Sequence, residues 1–365
     1  MRTYPLHSID VEQAKQLQFK LVDVIHRNFS GEEFLQAGDY GVVPGLGKPQ
    51  QTVKVEKVLA DFFDCEAAIL VRGAGTGAIR NVFHAVVKPN QRIIVHQAPV
   101  YPSTKVIIHS MGLKQVPLDF NDINSFDEEL IKSSDFALIQ YSRQQLNDSY
   151  NMKIVIDRLK AINKDIIILT DDNYVAMKTA KIGAQLGADV SAFSLFKLLG
   201  PEGIGCVVGS RRIINRIKEL NYSGGSQVQG AEAMEALRAL VYAPVALAIQ
   251  AEEGNKIVDR LKSGEVSGVK TAYIANAQSR VILVEFERPV AKKVLQNCNQ
   301  LGGAPHPVGA ESKYEVTAMF YRVSGTFLEK DPGLADRMIR INPMRAGADT
   351  VIRVLSEALE QLGVC

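Results

Sequence analysis

A lysine with unusual surroundings lies in the stretch Ser194-Leu-Phe-Lys197-Leu-Leu-Gly-Pro-Glu-Gly-Ile-Gly205. Apolar, strand-like runs flank it on both sides, and a glycine-rich turn follows it directly. Most lysines end in water, and a solvated strand end is the plain alternative. The flanks are too apolar for that. Gly200, Gly203, Gly205 and Pro201 specify a backbone that can come close to a bound group. Poor solvation favours the neutral amine, the form that condenses with a carbonyl to give an imine. Ser194, three residues earlier, is placed to reach a phosphate carried by the same bound group.

Upstream, IIILTDDNY ends an apolar run in two carboxylates and a tyrosine. Acids at the C-terminal end of a parallel strand point into the ligand crevice of an open α/β sheet. The spacing leaves Asp172 to cap the following helix and Asp171 to hold a proton on a pyridine nitrogen, which makes such a ring an electron sink. Tyr174 is in reach of the ring's phenolic oxygen. Asp171 and Lys197 are about one strand–helix–strand crossover apart, so both can reach one crevice.

The third element is AAILVRGAGTGAIRNVF. A strand runs into Gly73-Ala74-Gly75-Thr76-Gly77-Ala78 and then into a helix, whose first backbone N–H groups bind phosphate. The same turn fits the G-x-G-x-x-A dinucleotide fingerprint. A dinucleotide site wants an acid at the end of the next strand. That strand, RIIVHQ, ends in His96 and Gln97, which disfavours a nicotinamide dehydrogenase and favours a lone phosphate. Lysine, acid and phosphate turn together point to pyridoxal 5'-phosphate (PLP) as cofactor.

Lesser candidates surround these. Tyr101, in HQAPVYPST, sits past the end of the 92–96 strand and can cover a cofactor ring; a loop tyrosine packed on Pro102 is the alternative, and His96 is the second choice. Arg340, in MIRINP, can grip a substrate carboxylate through two parallel hydrogen bonds, with Lys313, Arg322, Arg337 and Arg345 nearby and an ordinary ion pair as the alternative. Ser226, in the polar loop Ser223-Gly-Gly-Ser226-Gln227, can touch a phosphate of its own chain or of a partner, or simply lead into a helix. The six histidines form no H-x-H or H-E-x-x-H pattern, so no metal site is expected.

The elements that must position these residues alternate. Strand-like runs occur at 67–72, 92–96, 113–118, 136–141, 165–170, 188–193 and 203–209, with helical patterns at 76–87, 151–163 and 175–186. Short apolar strands joined by helices indicate a mostly parallel sheet buried on both faces, a three-layer α/β sandwich. Helices at 8–29 and 53–63 precede it, with a Gly/Pro-rich arm between them. A long helix at 229–262 contains Pro244. The texture then changes: strand 280–286, helix 289–301, an irregular stretch, strand 338–342 and helix 348–362. This predicts an N-terminal helix and arm over 1–52, a large α/β domain over 53–262, and a smaller α+β domain over 263–365.

Composition agrees with an ordinary globular enzyme: 365 residues, 46% hydrophobic, 22% charged, formal net charge +2. No block of like charge marks a nucleic-acid or membrane partner, and the longest apolar run, 239–249, is too short to span a bilayer. The four cysteines, Cys65, Cys206, Cys298 and Cys365, are scattered, which fits a reducing compartment. MRTYPLHSIDVEQ has no apolar core, so a signal peptide is not expected and the cytoplasm is.

The segment KLLGPEGIG from Lys197 resembles the lysine signature of the class V aminotransferases and cysteine desulfurases, within the PLP-dependent fold-type-I superfamily. The order of parts is also similar to that of the cystathionine and methionine lyases and the aluminium-resistance-like proteins: the turn at 73–78, the aromatic at 101, the Ser/Arg stretch at 140–145, Asp171 and Lys197. Over nearly its whole length the chain resembles uncharacterised bacterial aminotransferase-like proteins. The resemblance implies that Ala74, Gly75, Thr76 and Ser142 help hold the cofactor, that the substrate is a small amino compound, and that the enzyme is a homodimer. There are departures. Phe196 stands where class V enzymes usually have histidine. GLGKPQ at 45–50 lacks the tyrosine and arginine with which the lyases reach a neighbour's phosphate. No cysteine lies in an evident mobile loop, which argues against desulfuration. Aminotransferase-like transfer is expected first, β/γ-elimination or racemisation second.

Overall fold

The structure, a computed structural model, describes residues 2–142, 145–275, 280–309 and 311–363. Arg143 of the Ser/Arg stretch and Cys365 therefore lie outside the described residues. The chain divides into two compact units. One comprises Glu12–Ser142 and Ser149–Pro244, the other Met1–Val11, Arg143–Asp148 and Val245–Cys365. The division falls within the helix Gly230–Lys262, directly after Pro244, where the missing N–H removes a helical hydrogen bond. The texture of the sequence puts its limit at the end of that helix instead.

In the first unit, β1 (Ala67–Arg72), β2 (Arg92–His96), β3 (Lys114–Leu118), β4 (Phe136–Gln140), β5 (Ile167–Asp171), β6 (Val190–Ser194) and β7 (Ile204–Gly209) form one sheet. Its order is β1-β7-β6-β5-β4-β2-β3. All neighbours pair in parallel except β7, which is antiparallel to both β1 and β6. The cause is the short link from β6 to β7, which is a turn and not a crossover helix. Both faces are buried, so successive residues of one strand enter different cores. Phe136 and Leu138 pack with Ile79, Phe83 and Ile214. Ala137 and Ile139 pack with Val155, Ile156 and Leu159. This gives three layers of helix, sheet and helix.

One expected helix is absent. Residues 175–186 form a series of turns closed by a single 3-10 turn, Gly183–Leu186. Tyr174 and Met177 adopt φ of 66° and 63°, which an α-helix cannot accommodate. Asp172 caps no adjoining helix as a result. Its carboxylate reaches forward to accept from the Gly183 N–H at 3.1 Å.

In the second unit, β8 (Val269–Ile274), β9 (Ile282–Phe286), β10 (Met319–Arg322) and β11 (Met338–Asn342) form an antiparallel sheet of order β10-β11-β9-β8. Val294 and Cys298 of the helix Ala291–Gln300 pack on one face of it, with Val351 and Leu355 of the helix Ala348–Glu360. β8 and β10 are additions to the sequence reading, which left the latter inside an irregular stretch. No helix among the described residues is long and apolar enough to cross a membrane.

Candidate active site

Because β7 runs against both its neighbours, β1 is parallel to β6, β5, β4 and β2. The C-terminal ends of these strands share one rim, where ligands bind in open α/β sheets. β1 delivers the glycine turn to that rim, β5 the acids, β6 the lysine, and the segment after β2 delivers Tyr101.

The glycine turn and the lysine turn are joined directly. The carbonyl of Gly203 accepts from Gly73 N at 2.7 Å and from Ala74 N at 3.0 Å. Gly73 caps the helix Ala74–Val86 in the left-handed region, φ 95°, and Ala74 follows at φ 53°. A Cβ on Gly205 would drive into the Ala74 carbonyl. We expect Gly205→Ala to cost about 2–3 kcal/mol, the scale of overpacking a rigid core, measured by denaturant unfolding. An unchanged midpoint would mean that the two turns can separate freely.

Lys197 sits on the single 3-10 turn Phe196–Leu198. Bonds from Leu198 N at 2.9 Å and Gly200 N at 3.0 Å to the Leu195 carbonyl close it, with Leu199 at φ 64°. The half-buried Lys197 Nζ lies 3.6 Å from the centroid of the Tyr174 ring and 6.0 Å from that of Tyr101. Both tyrosines proposed from the sequence therefore have their rings within 6.0 Å of the amine.

Asp171 is buried at the end of β5. Its Oδ1 accepts from the Asn173 backbone N–H at 3.1 Å and from Asn173 Nδ2 at 2.7 Å. Its Oδ2 has no hydrogen-bond partner among the described residues. Burial raises the carboxyl above its usual range, against the Asn173 bonds and the nearby charge of Lys197, which lower it. Asp172 points elsewhere. It is fully enclosed, and its Oδ2 accepts from Thr170 Oγ1 at 2.9 Å and from Gly183 N. Burial pushes its carboxyl up to about 7; Ser191, Thr170 and Gly183 oppose this, and the charge of Asp171 adds to it.

Thr76 Oγ1 lies 3.0 Å from Ser103 Oγ, so hydroxyls from the first turns of two helices meet beside the glycine turn. Ser194 is buried at the end of β6, and its backbone N–H donates to Asn173 Oδ1 at 3.0 Å. Ser142 is buried just past β4. Ser226 is placed differently: with Arg72, Arg80, Asn81, His84 and Asn221 it lines a cleft of about 310 Å³ to which neither Lys197 nor Asp171 contributes. His96 is packed, with its ring stacked on Phe120 at 5.1 Å and its Nδ1 accepting from Phe120 N at 3.1 Å. Arg340 belongs to the second unit, where its Nε donates to the Arg322 carbonyl and its guanidinium lies 4.2 Å from the Tyr321 ring centroid. In the same unit Arg337 is tied to Asp331 and Arg345 to Gln250. Sequence reasoning missed Asn173 and Ser103. The only available signal for Asn173 was its place two residues after an acid, the spacing of a local Asx turn.

Comparison with known proteins fits this geometry. Residues 49–239 match the aminotransferase class V family, and residues 255–355 match the C-terminal domain of YhfS-like proteins. The chain belongs to the aminotransferase class V family. It lies within the PLP-dependent fold-type-I superfamily. The chain is 51% identical over 363 residues to the uncharacterized protein YhfS of Escherichia coli (strain K12), covering 99% of this chain and 100% of that one. A crystal structure of the E. coli protein, described as pyridoxal-5'-phosphate dependent, superposes with a TM-score of 0.97 over 99% of this chain and 100% of that one. A more distant structure shares the fold: a cystathionine γ-lyase, CalE6, from Micromonospora echinospora, 14% identical, TM-score 0.73, covering 94% of this chain and 99% of that one. So does a cystathionine β-lyase-like protein of Listeria monocytogenes, 17% identical, TM-score 0.70, covering 96% of this chain and 95% of that one.

The site can be tested against PLP on its own donors. This class V member offers an amine for an aldehyde, a buried carboxylate with one oxygen open for a ring N–H, two aromatic rings beside the amine, and helix-terminal N–H groups with a hydroxyl pair for a phosphate. The residues fit the group.

Proposed function

We propose that this PLP-dependent enzyme transfers the amino group of a small amino acid or related amine, with Lys197, Asp171 and Tyr101 as its catalytic residues. The observation that carries the reading is the meeting, on one rim, of Lys197 Nζ, 3.6 Å from the Tyr174 ring centroid and 6.0 Å from that of Tyr101, with an acid whose second oxygen has no hydrogen-bond partner among the described residues. When bound, PLP supplies an aldehyde for an amine and a ring that takes up the electron pair of a bond broken at the substrate's α-carbon. Lys197 would hold the cofactor through its amine and, when that amine is free, would move the proton at that carbon. Asp171 keeps the ring nitrogen protonated. Tyr101 covers the ring, and Tyr174 donates to its phenolic oxygen. Ala74, Gly75 and Thr76 hold the phosphate, supported by Ser142 and Ser194, with Ser226 offered to it by the loop at 223–227. Arg340 binds the substrate carboxylate.

The fold shared with named carbon–sulfur lyases supports a second reading, elimination of a β or γ substituent. A screen of amino donors against 2-oxo acid acceptors separates the two. Recovery of the amino group in the acceptor supports transfer. Release of ammonia with a 2-oxo acid and a leaving group, without amination of the acceptor, supports elimination and overturns transfer. The exposed apolar side chains Leu35, Tyr40, Val42 and Leu46 favour a homodimer, and scattered thiols favour the reducing cytosol.

A further inference from the structure

Asn173 touches three of the parts that the proposed site needs. Its Nδ2 and its backbone N–H both donate to one oxygen of Asp171, Oδ1. Its own Oδ1 accepts the backbone N–H of Ser194, the last residue of the strand that leads to Lys197. Its carboxamide fills the space where a Cβ on Gly75 would lie, so it rests against the first turn of the phosphate helix. A carboxamide donates and accepts at once, and here both capacities are used. Serine or threonine could not span from the acid to the Ser194 N–H with one short hydroxyl. Glutamine would be a methylene too long for the contact with Gly75.

We propose that Asn173 is the positioning residue of the site: it commits Oδ1 of Asp171 to the protein, so that Oδ2 alone is presented to the ring nitrogen, and it fixes the acid relative to the lysine strand and the phosphate turn. This rests on the reading of Asp171 as the ring-nitrogen acid. With the side-chain donor removed, only the backbone N–H of residue 173 still holds Oδ1, and the carboxylate can rotate more freely about its Cβ–Cγ bond.

Asn173→Asp isolates the donor from the shape. It preserves size, contact with Gly75 and an acceptor for Ser194 N–H, but it replaces the amide N–H₂ by a group that donates only when protonated. The ionisable groups around position 173 are Asp171, Asp172, Tyr174 and Lys197; the helix packed on it brings none in its first turn. A second carboxyl beside Asp171 holds its proton to higher pH than an exposed one. The experiment titrates apo-protein with PLP by absorbance from about pH 6 to about pH 8.5, for wild type, Asn173→Asp and Asn173→Ala. Asn173→Asp is expected to bind near wild type at the acid end and to weaken about tenfold more than wild type by the alkaline end, the scale of a hydrogen bond to a charged group. Asn173→Ala is expected to be weaker at every pH. Variants that track wild type throughout overturn the inference. A wild type that takes up no PLP overturns the reading of the site on which the inference rests.

Discussion

Lys197→Ala is expected to abolish turnover and to remove all PLP that borohydride can fix to the chain. Wild-type protein incubated with PLP should gain an absorption band in the near-ultraviolet to visible range. Borohydride should remove the band, and peptide mass mapping should find the label on Lys197. The alanine variant should still bind PLP non-covalently, because the phosphate turn, Asp171 and the tyrosines are untouched. Loss of both the covalent link and the mobile base predicts a fall in turnover on the order of 10⁴ or more. Physical reasons single out this lysine. Its Nζ lies within contact of the Tyr174 ring and bears electrostatically on Asp171. The turn that carries it is pinned by the antiparallel β6–β7 pair and by Gly203, which holds the phosphate turn. Label on another lysine, or an alanine variant with undiminished turnover, would sink the assignment.

Much of this arrangement is legible in the sequence because a sheet buried on both faces writes itself as apolar runs. Each strand of the large sheet lies within a residue or two of such a run, and the site residues follow the ends of those runs. The lysine turn is legible for a different reason: Gly205 sits where two backbones meet and a Cβ has no room, and Gly203, at φ 71°, offers its carbonyl to the glycine turn. What escaped reading depends on contacts far apart in sequence. The segment 175–186 carries a helical apolar spacing, but it is held in turns by the bond from Gly183 back to Asp172 and by positive φ at Tyr174 and Met177. β10 is four residues inside a Gly/Pro-rich stretch and exists because β11 pairs with it. Asn173 and Ser103 look like ordinary polar residues until Asp171, Ser194 and Thr76 are brought to them. Ser226 opens on a different cleft, and Arg340 sits in the other unit; roles for these two rest on assembly and not on local pattern.

The adjacent acids Asp171 and Asp172 should separate cleanly by substitution. β-strand geometry sends neighbouring side chains to opposite faces, and the two find opposite surroundings. Asp171 keeps one oxygen open beside Lys197, whereas Asp172 is enclosed by Thr170, Ser191 and Gly183. Asp171→Asn keeps the shape and can keep the Asn173 contact through its own carbonyl, but an amide cannot hold a positive charge on the ring. Turnover should fall on the order of a hundredfold or more, the usual scale for removing one directed electrostatic contact, while the fold persists and PLP still binds, weakened by about tenfold as for loss of the Asn173 donor. Asp172→Asn should leave turnover within about tenfold of wild type, a change of about 1.4 kcal/mol, and act on stability instead. The sign follows from linkage. Burial pushes the folded-state carboxyl of Asp172 up to about 7 from its usual value of 3.8, so between these values the folded state binds the extra proton. Its contribution is fully present below the lower value and is lost as pH rises through the higher one. Wild type should therefore lose stability from about pH 4 to about pH 7, and Asp172→Asn should flatten that slope in denaturant unfolding. A larger loss of turnover in Asp172→Asn than in Asp171→Asn would reverse the assignment of the pair.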